Sequence, residues 1–157
     1  MTDLKQRLLA DHAELEQQLK ALARAVEAND APCDLRECWT GFETSLRDHL
    51  DTEERSIFPV VAAAHRPEVE ALRAEHRAIR DALAELGLAV ELHTLRKAAV
   101  DKLIVFLNQH ATREDHSLYE WLEQASGSLA RRGLLAMFDR RNKGAAGPRA
   151  SEPAASR

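Results

Sequence analysis

Four stretches of the chain place apolar residues at alternating spacings of three and four, the rhythm that lines one face of a helix in a bundle. The first stripe is Leu8, His12, Leu15, Leu19, Leu22 and Val26; Thr2 is a candidate N-cap, and Asn29-Asp30-Ala31-Pro32 should end the helix. The second runs Trp39, Phe42, Leu46, His49, Glu53, Ile57 and Val60, with Pro59 expected to kink its last turns. The third opens at Pro67 and reads Val69, Leu72, His76, Ile79, Leu83 and Leu86, where Gly87 should weaken the helix. The fourth is expected to begin near Thr94 and reads Val100, Leu103, Leu107, His110, Glu114, Leu118 and Trp121. A short fifth helix is expected around Leu129 to Arg140.

The chain repeats itself. HLDTEERSIF (His49 to Phe58) aligns with HATREDHSLY (His110 to Tyr119) at an offset of 61, and DHAELEQQLKAL (Asp11 to Leu22) aligns with EHRAIRDALAEL (Glu75 to Leu86) at an offset of 64. Each half is a helix with one His followed by a helix with His-x-x-x-Glu. Two such hairpins predict an all-α fold, an antiparallel up-down four-helix bundle over residues 1–124. A short C-terminal helix within 125–142 and a disordered, low-complexity tail over 143–157 should follow.

Composition supports this reading. At 157 residues, 45% hydrophobic but only 4% aromatic, the chain suits one domain with a core of Leu and Ala. No uncharged apolar run approaches the ~18–20 residues of a membrane span, and the first residues are charged rather than leader-like, so a soluble cytoplasmic protein is expected. The net charge of −4 divides unevenly. Residues 125–157 hold seven Lys/Arg against two acids, leaving 15 bases against 24 acids in 1–124. An acidic body disfavours nucleic acid. Cys33 and Cys38 match neither a Cys-x-x-Cys nor a zinc pattern and are expected to be reduced.

Six stripe positions are residues that an apolar core would not choose: His12, His49, Glu53, His76, His110 and Glu114. Burying an uncompensated carboxylate costs several kcal/mol or forces its protonation, and no Lys or Arg shares these stripes. Metal ions would supply the missing positive charge. Residues four apart lie ~5–6 Å from each other on one face, so His49/Glu53 and His110/Glu114 can each present N and O together. At ~1.5 Å rise per residue, the antiparallel levels of His12 and His49 differ by ~3 Å, so the six should meet in one layer. Four imidazoles and two carboxylates exceed one tetrahedral zinc and suit two ions with bridging Glu; mixed N/O ligation favours iron, with manganese or zinc as alternatives. Burial is expected to raise the pKa of both Glu, so that a metal-free fold gains stability as pH falls towards 5.

The order His, His-x-x-x-Glu, His, His-x-x-x-Glu, with DTEERSIFP after His49, resembles the hemerythrin-like (HHE cation-binding) family over roughly Thr2 to Gln124. That resemblance implies a bundle around an oxo- or hydroxo-bridged di-iron centre that meets O2 or related small oxidants, with the six residues above as ligands. Oxygen carriers of the family have two His four apart on the third helix. Here Leu72 precedes His76 and Arg80 follows it, leaving a four-His, two-Glu set that resembles proteins sensing iron and oxygen or repairing iron centres. The carriers also take an Asp five residues after the fourth-helix His. Asp115 stands there, but Glu114 is preferred because it repeats Glu53. Ferritin-like Glu-x-x-His and zincin His-Glu-x-x-His are both absent.

The other histidines, His65, His93 and His116, carry no predicted function, while Glu16, Glu54 and Asp115 are candidates to orient ligands. Two functions follow from this set. The first is binding or sensing of O2, NO or iron status. The alternative is an enzyme that consumes peroxide or O2, or acts in repair of iron centres. Either would need a partner protein or electron donor, since the sequence offers no cofactor loop, reductase or signalling domain.

Overall fold

A computed structural model describes residues 4–27 and 34–125 of the chain. The expected Thr2 cap, the 29–32 break, the helix around Leu129 to Arg140 and the tail lie outside the described residues. Helices α1 (Leu4–Glu27), α2 (Leu35–Thr52), α3 (Phe58–Glu91), α4 (Lys97–His116) and α5 (Leu118–Ala125) follow in order, with a π-helical turn at Glu53–Ile57 between α2 and α3. No strand occurs among the described residues. None of their helices is long and apolar enough to cross a membrane.

Side-chain pairings give the packing sense. Lys97 faces Glu27 at 3.9 Å while Asp115 faces His12 at 3.2 Å, so α4 runs antiparallel to α1. Along α3, Arg80 reaches Asp51 at 2.8 Å, while Gly87 lies against the Trp39 indole, where an added Cβ would sit 3.3 Å from Nε1. Those contacts make α2 and the later part of α3 antiparallel. The result is an up-down four-helix bundle. Its main apolar block joins Leu15, Leu19, Leu22, Trp39, Phe42, Leu46, Leu50, Ile79, Leu83, Leu86, Val90, Val100 and Leu103. A second group, including Leu8, Ile57, Phe58, Val61, Leu72, Leu118 and Leu122, is buried further along the same helices. The histidine and glutamate layer lies between the two.

Several boundaries differ from expectation for identifiable reasons. Pro59 does not kink the second helix: it stands in the first turn of α3, where its missing N–H is tolerated. The bend falls at His65 (φ −129°, ψ 37°), two residues before Pro67, whose ring crowds the preceding turn. The π-turn inserts one residue into the helical count, so Phe58 and Val61 are buried in place of Val60. Gly87 does not end α3, which continues to Glu91. It closes in a Schellman motif: His93 N–H bonds Val90 O (3.1 Å) and Thr94 N–H bonds Ala89 O (2.8 Å), with His93 left-handed at φ 56°. Thr94 is spent on that cap, and α4 starts at Lys97 instead. Cys38 is disulfide-bonded rather than reduced, while Cys33 lies outside the described residues.

Candidate metal centre

The two His-x-x-x-Glu segments end their helices in matching ways. Helix α2 gives way to the π-turn at Glu53, where Phe58 N–H bonds Glu53 O, a span of five residues. Helix α4 breaks at Ser117 (φ −131°, ψ −70°) before α5 begins. The first departure opens at the stripe carboxylate Glu53 and the second comes three residues after Glu114. They turn the next aromatic residues, Phe58 and Tyr119, into the interior, where both are fully buried. The fourth stripe therefore continues through Leu118, Tyr119 and Leu122. Trp121 is only half-buried and stacks on His65 with ring centres 3.8 Å apart.

All six predicted residues come together. His49, Glu53, His76, His110 and Glu114 are buried, and His12 is partly so. Their atoms form two overlapping groups, one of His12, His49, Glu53 and Glu114, the other of Glu53, His76, His110 and Glu114. Each carboxylate divides its oxygens between them. Glu53 Oε1 lies 3.5 Å from His49 Nε2, and its Oε2 lies 3.4 Å from His76 Nε2. Glu114 Oε2 lies 3.4 Å from His12 Nε2, while its Oε1 lies 3.4 Å from His76 Nε2 and 3.1 Å from His110 Nε2.

Every imidazole turns Nε2 inward and Nδ1 towards an outer acid. His12 Nδ1 meets Asp115 at 3.2 Å, His76 Nδ1 meets Glu54 at 2.9 Å and His110 Nδ1 meets Glu75 at 2.7 Å. His49 Nδ1 faces Asp11 at 3.7 Å, beyond direct hydrogen bonding. A carboxylate behind the distal nitrogen fixes ring orientation and tautomer and raises the basicity of the other nitrogen. The acids are themselves held: Arg80 bonds Glu54 (2.6 Å) and Asp51, and Arg113 bonds Glu68 and Glu75. Of the orienting residues expected from sequence, Glu54 and Asp115 occupy that position and Glu16 does not; it pairs with Lys20 at 2.6 Å. Asp11 and Glu75 were missed. Each immediately precedes a cluster His and each repeats the other at the offset of 64, which is the signal that could have found them.

Electrostatics follow from this crowding. Burial opposes a proton on His12, but Asp115 and Glu114 outweigh it and raise its pKa from 6.5 to about 10. Burial likewise opposes a charge on His76, where Glu114 and Glu53 raise the pKa to about 9. His110 moves up as well, against burial, through Glu114 and Glu75. Burial alone would push the Glu114 carboxyl up, as expected from sequence. Hydrogen bonds from His110, His12 and His76 instead hold it well below the usual range. The expectation failed because it weighed desolvation without the three imidazoles that face the carboxylate.

Sequence reasoning also missed Tyr119, whose hydroxyl donates to Glu53 Oε1 at 2.6 Å and lies 3.0 Å from His12 Nε2. Burial and the nearby Glu53 and Glu114 charges push its phenol well above the usual range. A cavity of about 40 Å³ reaches the cluster between α1, α2 and α4, lined by His12, His49 and His110 with Leu15, Leu19, Leu46 and Leu107. The remaining histidines have local roles: His116 Nδ1 bonds Thr112 O at 2.8 Å, His93 caps α3 and His65 stacks on Trp121.

The donor set fits divalent or trivalent cations. Glu53 Oε2, Glu114 Oε2 and His110 Nε2 are buried without a well-formed hydrogen bond and all belong to the cluster. Orphaned atoms gathered around one point are what metal coordination would satisfy. An up-down helical bundle with inward His and Glu shared between two groups defines a cation-binding class of protein. A family model, the hemerythrin HHE cation binding domain, matches residues 3–122 and matches again over 67–140. The chain belongs to this family. The second match begins where the second hairpin begins, in keeping with the internal repeat. Searches of curated proteins and of solved structures gave no match.

Proposed function

We propose that this chain is a non-heme di-iron protein that binds or senses O2 or NO. One ion would be held by His12 and His49, the other by His76 and His110, with Glu53 and Glu114 bridging. The observation that carries this is the division of each buried carboxylate's two oxygens between two histidine pairs. Iron suits mixed imidazole and carboxylate ligation, and when bound it would supply an open coordination position and reversible electron donation. The chain's own part is to aim each imidazole's Nε2 inward with acids facing Nδ1, to keep bulk water out with Leu15, Leu19, Leu46 and Leu107, and to admit a small ligand. The cavity of about 40 Å³ admits a molecule of diatomic size rather than a metabolite.

The test is metal analysis, then absorption spectra of anaerobically reduced protein before and after air or NO. Two irons per chain with a spectrum that reverses on removing the gas support the proposal. Many turnovers of peroxide or O2 per iron pair would replace it with the enzymatic alternative. A chain that takes up no metal would overturn both.

A further inference from the structure

The two halves of the repeat place different residues at one equivalent position. Phe58 and Tyr119 align at the offset of 61, both follow the helix irregularity after the stripe carboxylate, and both are fully buried. Each sits against a histidine of the cluster: the Phe58 ring centre is 5.1 Å from that of His76, and the Tyr119 ring centre is 5.5 Å from that of His12. The halves differ by one hydroxyl. That hydroxyl lies among the atoms of the His12/His49 group, 2.6 Å from Glu53 Oε1 and 3.0 Å from His12 Nε2.

Those spacings are informative. Two donor atoms about 2.1 Å from one ion and at right angles around it lie about 3 Å apart. Within the His12/His49 group, His12 Nε2 stands 3.1 Å from His49 Nε2, 3.4 Å from Glu114 Oε2 and 3.0 Å from Tyr119 Oη. The tyrosine oxygen stands 2.6–3.0 Å from its two neighbours, close to the 3.1–3.5 Å that the ligand atoms keep among themselves. The hydroxyl thus meets a donor atom of two different cluster residues rather than Glu53 alone. On the other side of the repeat, Phe58 offers no donor atom at all.

We infer that Tyr119 is a fifth protein ligand to the metal ion of the His12/His49 position, and that the ion of the His76/His110 position has four. This rests on the two-ion reading above. Tyr119 would bind as the phenolate: the O–H bond breaks, its proton passes to water, the oxygen lone pair goes to the ion and no electron is transferred. In the metal-free fold the two carboxylates surround that oxygen with negative charge. A cation among them reverses the sign of the local field, which is what permits the proton to leave. The two ions are then unequal, the His76/His110 position having one protein ligand fewer.

Tyr119 is the only tyrosine in the chain, so a phenolate signal has one source. The full-length protein is stripped, reloaded with ferrous iron and oxidised in air to the ferric state. Iron content, visible absorption and resonance Raman spectra are then recorded for the wild type, for Tyr119→Phe and for Phe58→Tyr. The expected result is two irons per chain and a phenolate-to-iron charge-transfer band, with ring modes that shift on ring-deuterated tyrosine. Tyr119→Phe should lose that band completely while keeping two irons. Phe58→Tyr should gain a second phenolate contribution. A wild type with two ferric irons and no phenolate ring modes overturns the inference and leaves the two-ion reading standing. The labelled wild type decides this even where a variant fails to fold. A protein without iron overturns both.

Discussion

Stripping the metal should leave a fold whose stability falls as pH rises through the neutral range, because the imidazoles that would bind metal take up protons instead. In the metal-free fold the pKa of His12 stands at about 10 and that of His76 at about 9, against 6.5 for an ordinary imidazole. A group with a raised folded-state pKa stabilises fully below its unfolded value, and that contribution is lost as pH climbs through the folded value. Between pH 7 and 8.5 the unfolded chain has released both protons while the folded chain keeps them. Each retained proton then contributes a slope of about −1.4 kcal/mol per pH unit. Two give a loss of about 4 kcal/mol over that interval, a large share of a total stability of roughly 5–15 kcal/mol. Even one retained proton lowers the melting temperature by roughly 5–10 °C. Glu114 acts in the opposite direction and in another window: its lowered pKa withdraws stability only under acid, below the ordinary carboxylate range. The metal-free optimum therefore lies between about pH 4.5 and 6.5. In the loaded protein Nε2 binds no proton, so the difference between the loaded and stripped forms widens with pH. Thermal melts followed by far-UV circular dichroism on chelator-stripped and reloaded protein, from pH 5 to 9, measure both curves. A stripped protein whose melting temperature is flat or rising from pH 6.5 to 9 would refute the reasoning.

Metal content provides a second check: Glu53→Ala or Glu114→Ala should abolish the coupled pair in magnetic or Mössbauer spectra, whereas Asp115→Ala should retain it, because Asp115 faces His12 Nδ1. Glu75→Ala removes the support of His110 and one partner of Arg113, and should weaken metal affinity roughly 10–100-fold in chelator competition without emptying the site. His93→Gly should raise stability by about 1 kcal/mol in denaturant melts, since glycine adopts the left-handed cap at φ 56° without the strain of a side chain. Leu72→His puts an imidazole one turn from His76 at a fully buried position and should slow autoxidation of the reduced protein in stopped-flow absorbance. Arg80→His should not, because Arg80 is committed to Glu54 and Asp51.

The fold and the cluster were legible for one physical reason. Helical geometry is regular enough that a His or Glu replacing Leu on a stripe can be assigned a direction and a depth, and His49, Glu53, His110 and Glu114 obeyed it. What escaped notice depended on irregularity or on neighbours. Val60 was expected inside and Val61 is found there, because periodic counting does not foresee the extra residue of a π-turn. The bend at His65 was assigned to Pro59, six residues early, because a proline's effect depends on where the helix starts. The lowered pKa of Glu114 could not be had from its own burial; it needs the three imidazoles that converge on it from α1, α3 and α4. Tyr119 was read only as the counterpart of Phe58, and a hydroxyl's partners are set by tertiary contact alone.

The π-turn at Glu53–Ile57 has a consequence for how this chain tolerates a change in length. Losing one residue from a regular helix rotates everything beyond it by about 100° and draws it back by about 1.5 Å, which scrambles a packed stripe. A π-turn already carries one residue more than the α-helical count, so deleting the exposed Arg55 would leave a continuous helix of ordinary pitch. His49 and Glu53 lie upstream and would keep their spacing, and Phe58, then four residues after Glu53 instead of five, would stand only about 40° round from it, on the face that meets the ring of His76. Chain length at this one turn can thus fall by one residue while the wall of the His76 side keeps its phase.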